Sequence, residues 1–95
     1  MDFAAFQHLM ADTYGARDRR RGTPASVAWL VEEVGELAQA VRKGSPQDQL
    51  RELGDVLAWL ASLADQLDLS LEDATLRYQD GCPHCSELPC RCPES

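Results

Sequence analysis

The stretch WLVEEVGELAQAVRKG, residues 29–44, decides the fold. Its Ala, Leu, Glu and Gln content is that of a helix, and Gly44 is a natural stop. Three glutamates, Glu32, Glu33 and Glu36, crowd onto two of its turns just after Trp29. On a helical wheel Val27, Leu30, Val31, Val34, Leu37, Ala38 and Val41 form one apolar stripe, the expected core face. Trp29, Glu33, Glu36 and Ala40 follow the i, i+4, i+7, i+11 rule and line up on the far side. The charges repel one another there, so the second face needs its own explanation.

Outward from this helix, the same chemistry opens three more segments. Thr23-Pro24 supplies an N-cap and a proline where its missing N–H costs nothing. Ser45-Pro46 repeats the device, with Asp48 favouring the helix N-terminus. Ser70 begins the last helix, with Glu72 and Asp73 in its first turn. The pattern predicts helices over about residues 2–18, 24–43, 46–67 and 70–79. Phe3, Phe6, Leu9 and Met10 form the apolar face of the first. The basic run RDRRR, residues 17–21, reads as a solvated connector leading to a break at Gly22. No strand pattern, repeat or low-complexity segment stands out. The chain reads as all-α, with helices two and three antiparallel across a very short turn.

Helix three mirrors helix two. Leu50, Leu53, Leu57, Leu60, Ala61, Ala64 and Leu67 form its expected core stripe. Glu52 and Asp55 sit away from that stripe, and Trp59 lies one turn beyond Asp55. A merely solvated face would carry Lys beside Glu at i, i+4 and no tryptophan. Glu33/Glu36 and Glu52/Asp55 are instead like-charged i, i+3 pairs, and antiparallel helices bring both pairs to one site. Hard oxygen ligands in that number suit Mg²⁺ or Mn²⁺, whose charge offsets the repulsion.

Size and charge bound the rest. Ninety-five residues suit one domain with a small core, which often needs a partner subunit or a metal. Sixteen acids against nine bases, a net charge of −7, argue against general nucleic-acid binding. No apolar run approaches the ~20 residues of a membrane span, and the N-terminus carries no basic leader, so a cytoplasmic protein is expected. All four cysteines lie in the last fourteen residues, unlike a disulfide scaffold. GCPHCSELPCRC, residues 81–92, places Cys82-x-x-Cys85 beside Cys90-x-Cys92. Thiolates so close suit a tetrahedral Zn²⁺ with a structural role; His84, inside the first pair, is the weaker ligand. The division is thus a helical domain over 1–80 and a metal-binding tail over 81–95.

The motif Glu32-Glu33-x-x-Glu36, then Glu52-x-x-Asp55 with fifteen residues between, resembles the EExxE…ExxD signature of MazG-like nucleotide pyrophosphohydrolases. The flanking runs WLVEEVGELAQAV and LRELGDVLAWLASLADQLDLSLEDA are similar too, so the resemblance covers about residues 24–79. A similar Cys-rich end also occurs among MazG-like proteins. The resemblance implies a four-helix, bundle-like protomer working as a homodimer or homotetramer. It implies Mg²⁺-dependent cleavage of a nucleoside triphosphate to the monophosphate and pyrophosphate. Carried onto this chain, Glu33, Glu36, Glu52 and Asp55 hold the metal. Glu32 is the candidate to orient or deprotonate the attacking water, with Glu33 able to share that role.

Trp29 and Trp59 are candidates to stack a base or close a subunit interface. One departure concerns the phosphates. Many family members carry a Lys/Asn/Arg pattern at the end of the fourth helix, where this chain has TLRYQDG, residues 75–81, with Arg77 alone basic. Lys43, or the arginines of residues 17–21, are the candidate substitutes. His8 reads as a packing or surface residue. The alternative to an enzyme is a non-catalytic helical oligomer that binds a nucleotide or a protein partner.

Overall fold

The computed structural model describes residues 1–94. It contains α1 (Phe3–Arg21), α2 (Thr23–Lys43), α3 (Pro46–Gln66), α4 (Leu71–Thr75) and a closing 3-10 turn (Leu76–Tyr78), with no strand among the described residues. The caps are largely those the sequence dictates. Ser45 and Asp48 form a reciprocal capping box at the start of α3. The Ser70 side chain accepts from the Asp73 N–H at the start of α4.

Three boundaries differ from expectation. The run of residues 17–21 is helical, because arginine is a good helix former and three cations in the last turn suit the helix C-terminus. Asp18 also pairs with Arg21 at 3.0 Å, and Arg19 with Asp65 of α3 at 3.3 Å. The break falls at Gly22, whose φ of 87° lies in the left-handed region. Gly22, not Thr23, therefore occupies the N-cap of α2, and no side chain caps it. The fourth helix is one short turn and a half: beyond Leu71 its residues are all exposed, so no packed face sustains it.

The α2–α3 hairpin is the frame of the molecule. Its turn needs a residue without a side chain, since a Cβ on Gly44 would lie 2.9 Å from the Ala40 carbonyl oxygen and 3.1 Å from the Asp48 Cβ. On α2 the residues screened from solvent include Ser26, Leu30, Glu33, Leu37 and Ala40; on α3 they include Gln49, Glu52, Val56, Trp59, Leu63 and Gln66. Both sets run at heptad spacing, the signature of one continuous seam. Ser26, fully buried, bonds to Gln66 at one end, and Gln49 donates to the Ala40 carbonyl at the other. α1 lies along α3, with Gly15 and Asp18 buried in the contact.

This seam corrects the sequence reading of the core. Leu30, Leu37, Leu57, Ala61 and Ala64 are at least half-buried as expected, but the rest of the stripe turns outward. Val31 and Val41 are each 64% exposed, Leu50 71% and Leu53 54%. The second face, expected to bring the acidic pairs to one site, supplies much of the seam. Among the described residues, Ala40 and Ala61 are the buried apolar side chains. The chain exposes 7057 Å², against about 5,400 Å² for a compact monomer of this mass. Its radius of gyration, 15.5 Å, likewise exceeds the ~12.4 Å of a compact domain of this length.

Candidate active site

The seam brings carboxylates together from two helices. Glu33 and Glu36 share a face of α2 because residues three apart are helical neighbours. Glu52 meets them from α3, and one oxygen of each of the three lies within 4.8 Å of the others. One oxygen of Glu33 and one of Glu52 are buried with no hydrogen-bond partner. Two orphaned carboxylate oxygens in a screened site are costly, unless a cation stands between them.

The electrostatics follow from this crowding. Burial pushes the Glu33 carboxyl from its ordinary 4.5 up to about 7, helped by Glu36 and by the charges of Asp55 and Glu52. Glu52 is raised for the same reason, burial first and then the charges of Glu36 and Asp55. Three hard oxygen donors, two without partners, fit a divalent cation of the Mg²⁺ or Mn²⁺ type.

Clefts open on both sides of the cluster. One, of ≈ 290 Å³, has Glu33 and Asp55 facing Tyr14, Arg17 and Arg21 of α1, with Trp59 alongside. The Arg21 guanidinium lies 5.1 Å from the Trp59 ring centroid, and Trp59 stacks on Trp29 at 6.1 Å with 10° between the planes. The other, of ≈ 420 Å³, is bounded by Glu36 and Glu52 with Lys43 and Arg51. Arg51 is already engaged, 3.1 Å from Asp48 and 3.7 Å from Glu52.

The expected site residues thus divide. Glu33, Glu36 and Glu52 converge, and Asp55 borders the same cleft as Glu33. Glu32 is exposed and stands outside the cluster. Lys43 reaches one cleft; Arg77 instead lies over the Tyr78 ring at 6.0 Å. The two tryptophans face each other. Tyr14 is new to the site; Arg17 and Arg21 are two of the four arginines of residues 17–21 that the sequence offers for phosphates, and a connector gives no reason to single them out. Continued as helix, Tyr14, Arg17 and Arg21 fall at i, i+3 and i+7, one line on one face.

The tail gathers its four thiols as closely. One Sγ of each of Cys82, Cys85, Cys90 and Cys92 lies within 4.8 Å of the others. The Cys82–Cys92 and Cys85–Cys90 sulfur separations are 3.7 and 3.9 Å, and all four thiols are free. A tetrahedron with zinc–sulfur bonds of ~2.3 Å has an edge of about 3.8 Å. Backbone N–H groups of His84, Arg91 and Cys92 point at Cys82, Cys85 and Cys90 at 3.3–3.4 Å. Such bonds favour thiolate: Cys85 falls to about 6, chiefly through the Arg91 N–H, and Cys82 is lowered too. Cys92, beside three other sulfurs, is pushed up to about 12.

A family model for the MazG nucleotide pyrophosphohydrolase domain matches residues 22–85. That stretch contains both acidic pairs and the first cysteine pair, and it begins after the arginines of α1. The uncharacterized protein YvdC of Bacillus subtilis (strain 168) is 37% identical over 97 residues, covering 84% of this chain and 92% of that protein.

The raised Glu33 carboxyl predicts how the metal-free protein responds to pH. The folded chain keeps this proton between 4.5 and about 7, where the unfolded chain has lost it. The folded state binds more protons there, so stability falls as pH rises through that window, and the full penalty stands above it. In chelator at about pH 8, Glu33→Gln is expected to melt at a higher temperature than the parent. At about pH 4.5 the two should melt together. Equal melting at both pH values would mean the carboxyl is not strained.

Proposed function

The chain belongs to the MazG nucleotide pyrophosphohydrolase family, and we propose that it hydrolyses a nucleoside triphosphate to the monophosphate and pyrophosphate in a Mg²⁺- or Mn²⁺-dependent reaction that clears unwanted nucleotides. The pair of buried, unpartnered oxygens on Glu33 and Glu52 carries this reading. Glu33, Glu36, Glu52 and Asp55 would hold the cation, which when bound polarises phosphoryl oxygens and steadies the leaving pyrophosphate. The rest falls to the protein's own groups. Glu33 or Glu32 takes the proton of the attacking water; Glu33 lies inside the cluster and Glu32 is exposed outside it. The Trp29–Trp59 stack offers an aromatic surface beside the carboxylates, with Trp29 still 45% exposed, suited to a base. Lys43 stands at the far cleft, within the reach of an anionic substrate.

The same reading includes a homo-oligomer. Val27, Val31, Val34 and Val41 of α2 and Leu50, Leu53 and Leu60 of α3 form two exposed stripes at heptad spacing. A second copy laid on them would complete a four-helix bundle and remove the excess exposed surface. A Zn²⁺ held by Cys82, Cys85, Cys90 and Cys92 completes the picture. With four protein ligands it has no open position, so its role is to hold a tail that lacks an apolar core.

Three measurements test these proposals. A panel of ribo- and deoxyribonucleoside triphosphates should release pyrophosphate in Mg²⁺ and not in chelator. Glu33→Gln and Asp55→Asn should each cost at least ~10²-fold in turnover with the helical content unchanged. Glu32→Gln with full turnover would assign the base to Glu33. Nucleotide binding without any turnover would favour a non-catalytic module instead. Sedimentation should show a dimer or tetramer at micromolar concentration, shifted towards monomer by Leu53→Lys; a monomeric parent would refute the assembly. Metal analysis of the purified chain should find about one zinc per chain, lost in a Cys82→Ser, Cys85→Ser variant.

A further inference from the structure

We infer that Arg17 and Arg21, on the last turns of α1, form the phosphate-binding wall of the site. This rests on the reading of the chain as a triphosphate hydrolase and names the groups that grip its substrate. A triphosphate approaching Glu33, Glu36, Glu52 and Asp55 meets a strongly negative surface. Metal charge offsets part of that repulsion, and fixed cations must supply the rest. The fourth-helix region offers only Arg77, which lies over Tyr78. Arg51 is bound to Asp48 and Glu52. The cleft on the Glu33 and Asp55 side is different, because Arg17 and Arg21 line it together with those carboxylates.

Arg21 is held in place for this task. Its side chain is 26% exposed, its Nη1 donates to a carboxylate of Asp18 that is 4% exposed, and its plane lies over Trp59. That ion pair is within α1, so it does not serve to dock α1 on α3; the Arg19–Asp65 pair does that. Asp18 takes one nitrogen of a five-donor fork, which leaves donors for phosphate oxygens. Arg17 makes none of the ion pairs found among the described residues and lines the same cleft. Arg17 and Arg21 share a cleft of ≈ 290 Å³ with Glu33, Asp55 and the Asp18 already paired to Arg21, so guanidinium groups from α1 and carboxylates from α2 and α3 line one space, as a metal-bridged polyphosphate requires.

The test uses the full chain and inorganic tripolyphosphate, which removes the unknown base. Titration calorimetry in Mg²⁺ should show Arg17→Ala and Arg21→Lys each weakening tripolyphosphate about tenfold or more. Both should raise KM for the preferred nucleotide more than they lower kcat. Arg21→Lys keeps a cation beside buried Asp18, and Arg17→Ala breaks no ion pair, so melting temperatures should stay near the parent's. Arg20→Ala, on the exposed side of α1, should leave binding and turnover unchanged. A parent that hydrolyses nucleotide while Arg17→Ala and Arg21→Lys bind tripolyphosphate as tightly would overturn the inference and leave the hydrolase reading intact. An Arg20→Ala loss as large as the others would reduce the effect to net charge and overturn it too. A parent that neither binds tripolyphosphate nor turns over any nucleotide would sink both.

Discussion

The rest of the structure depends on one seam, in which α2 and α3 meet through faces that set carboxylates and amides among apolar side chains. Ser26, Glu33 and Ala40 on one helix meet Glu52, Trp59 and Gln66 on the other, and two carboxylate oxygens end there without partners. A hairpin closed by carboxylates gains little from burial, because desolvating a charge costs more than apolar packing of the same size returns. The apolar stripes must then find another place, and the remaining free face of the hairpin is the one pointing away. The polar seam and the exposed valines and leucines are one design seen from two sides.

That design explains what was legible in the sequence. The helices, the Ser45 and Ser70 caps and the Gly44 turn follow from local chemistry and could be read residue by residue. The pairing of Glu33 and Glu36 with Glu52 was legible because i, i+3 spacing and an antiparallel hairpin fix it. Which face turned inward was not. Each helix carries two heptad seams, Leu30/Leu37 beside Val27/Val31/Val34 on α2, and burial averaged over the whole stripe favours the larger apolar set. A rule that places the apolar stripe inside assumes a monomeric core, and here the seam binds polar groups instead.

The helical placement of the α1 arginines escaped the sequence for a different reason. A run of four cations and one acid has no apolar periodicity, so a periodicity argument ends the helix before it. Its actual support is electrostatic and tertiary: the helix C-terminus, Asp18, Asp65 and the Trp59 ring. Asp18 is the clue that composition conceals. One carboxylate among four guanidiniums looks like dilution of charge, yet it is buried and fixes the one arginine that reaches the aromatic stack.

The chain's two candidate metal clusters follow opposite logic. The carboxylate cluster is strained before any cation arrives, since its oxygens lack donors and its charges raise one another's proton affinity. The thiol cluster is prepared in advance, since backbone N–H groups point at three of its four sulfurs and hold Cys82 and Cys85 towards thiolate. A site that must exchange ligands and admit a substrate is better left frustrated and open to a cleft. A site that only holds its own backbone is better satisfied from within. The difference between oxygen donors without partners and sulfurs already bonded therefore agrees with the proposed division into a catalytic site and a structural clip.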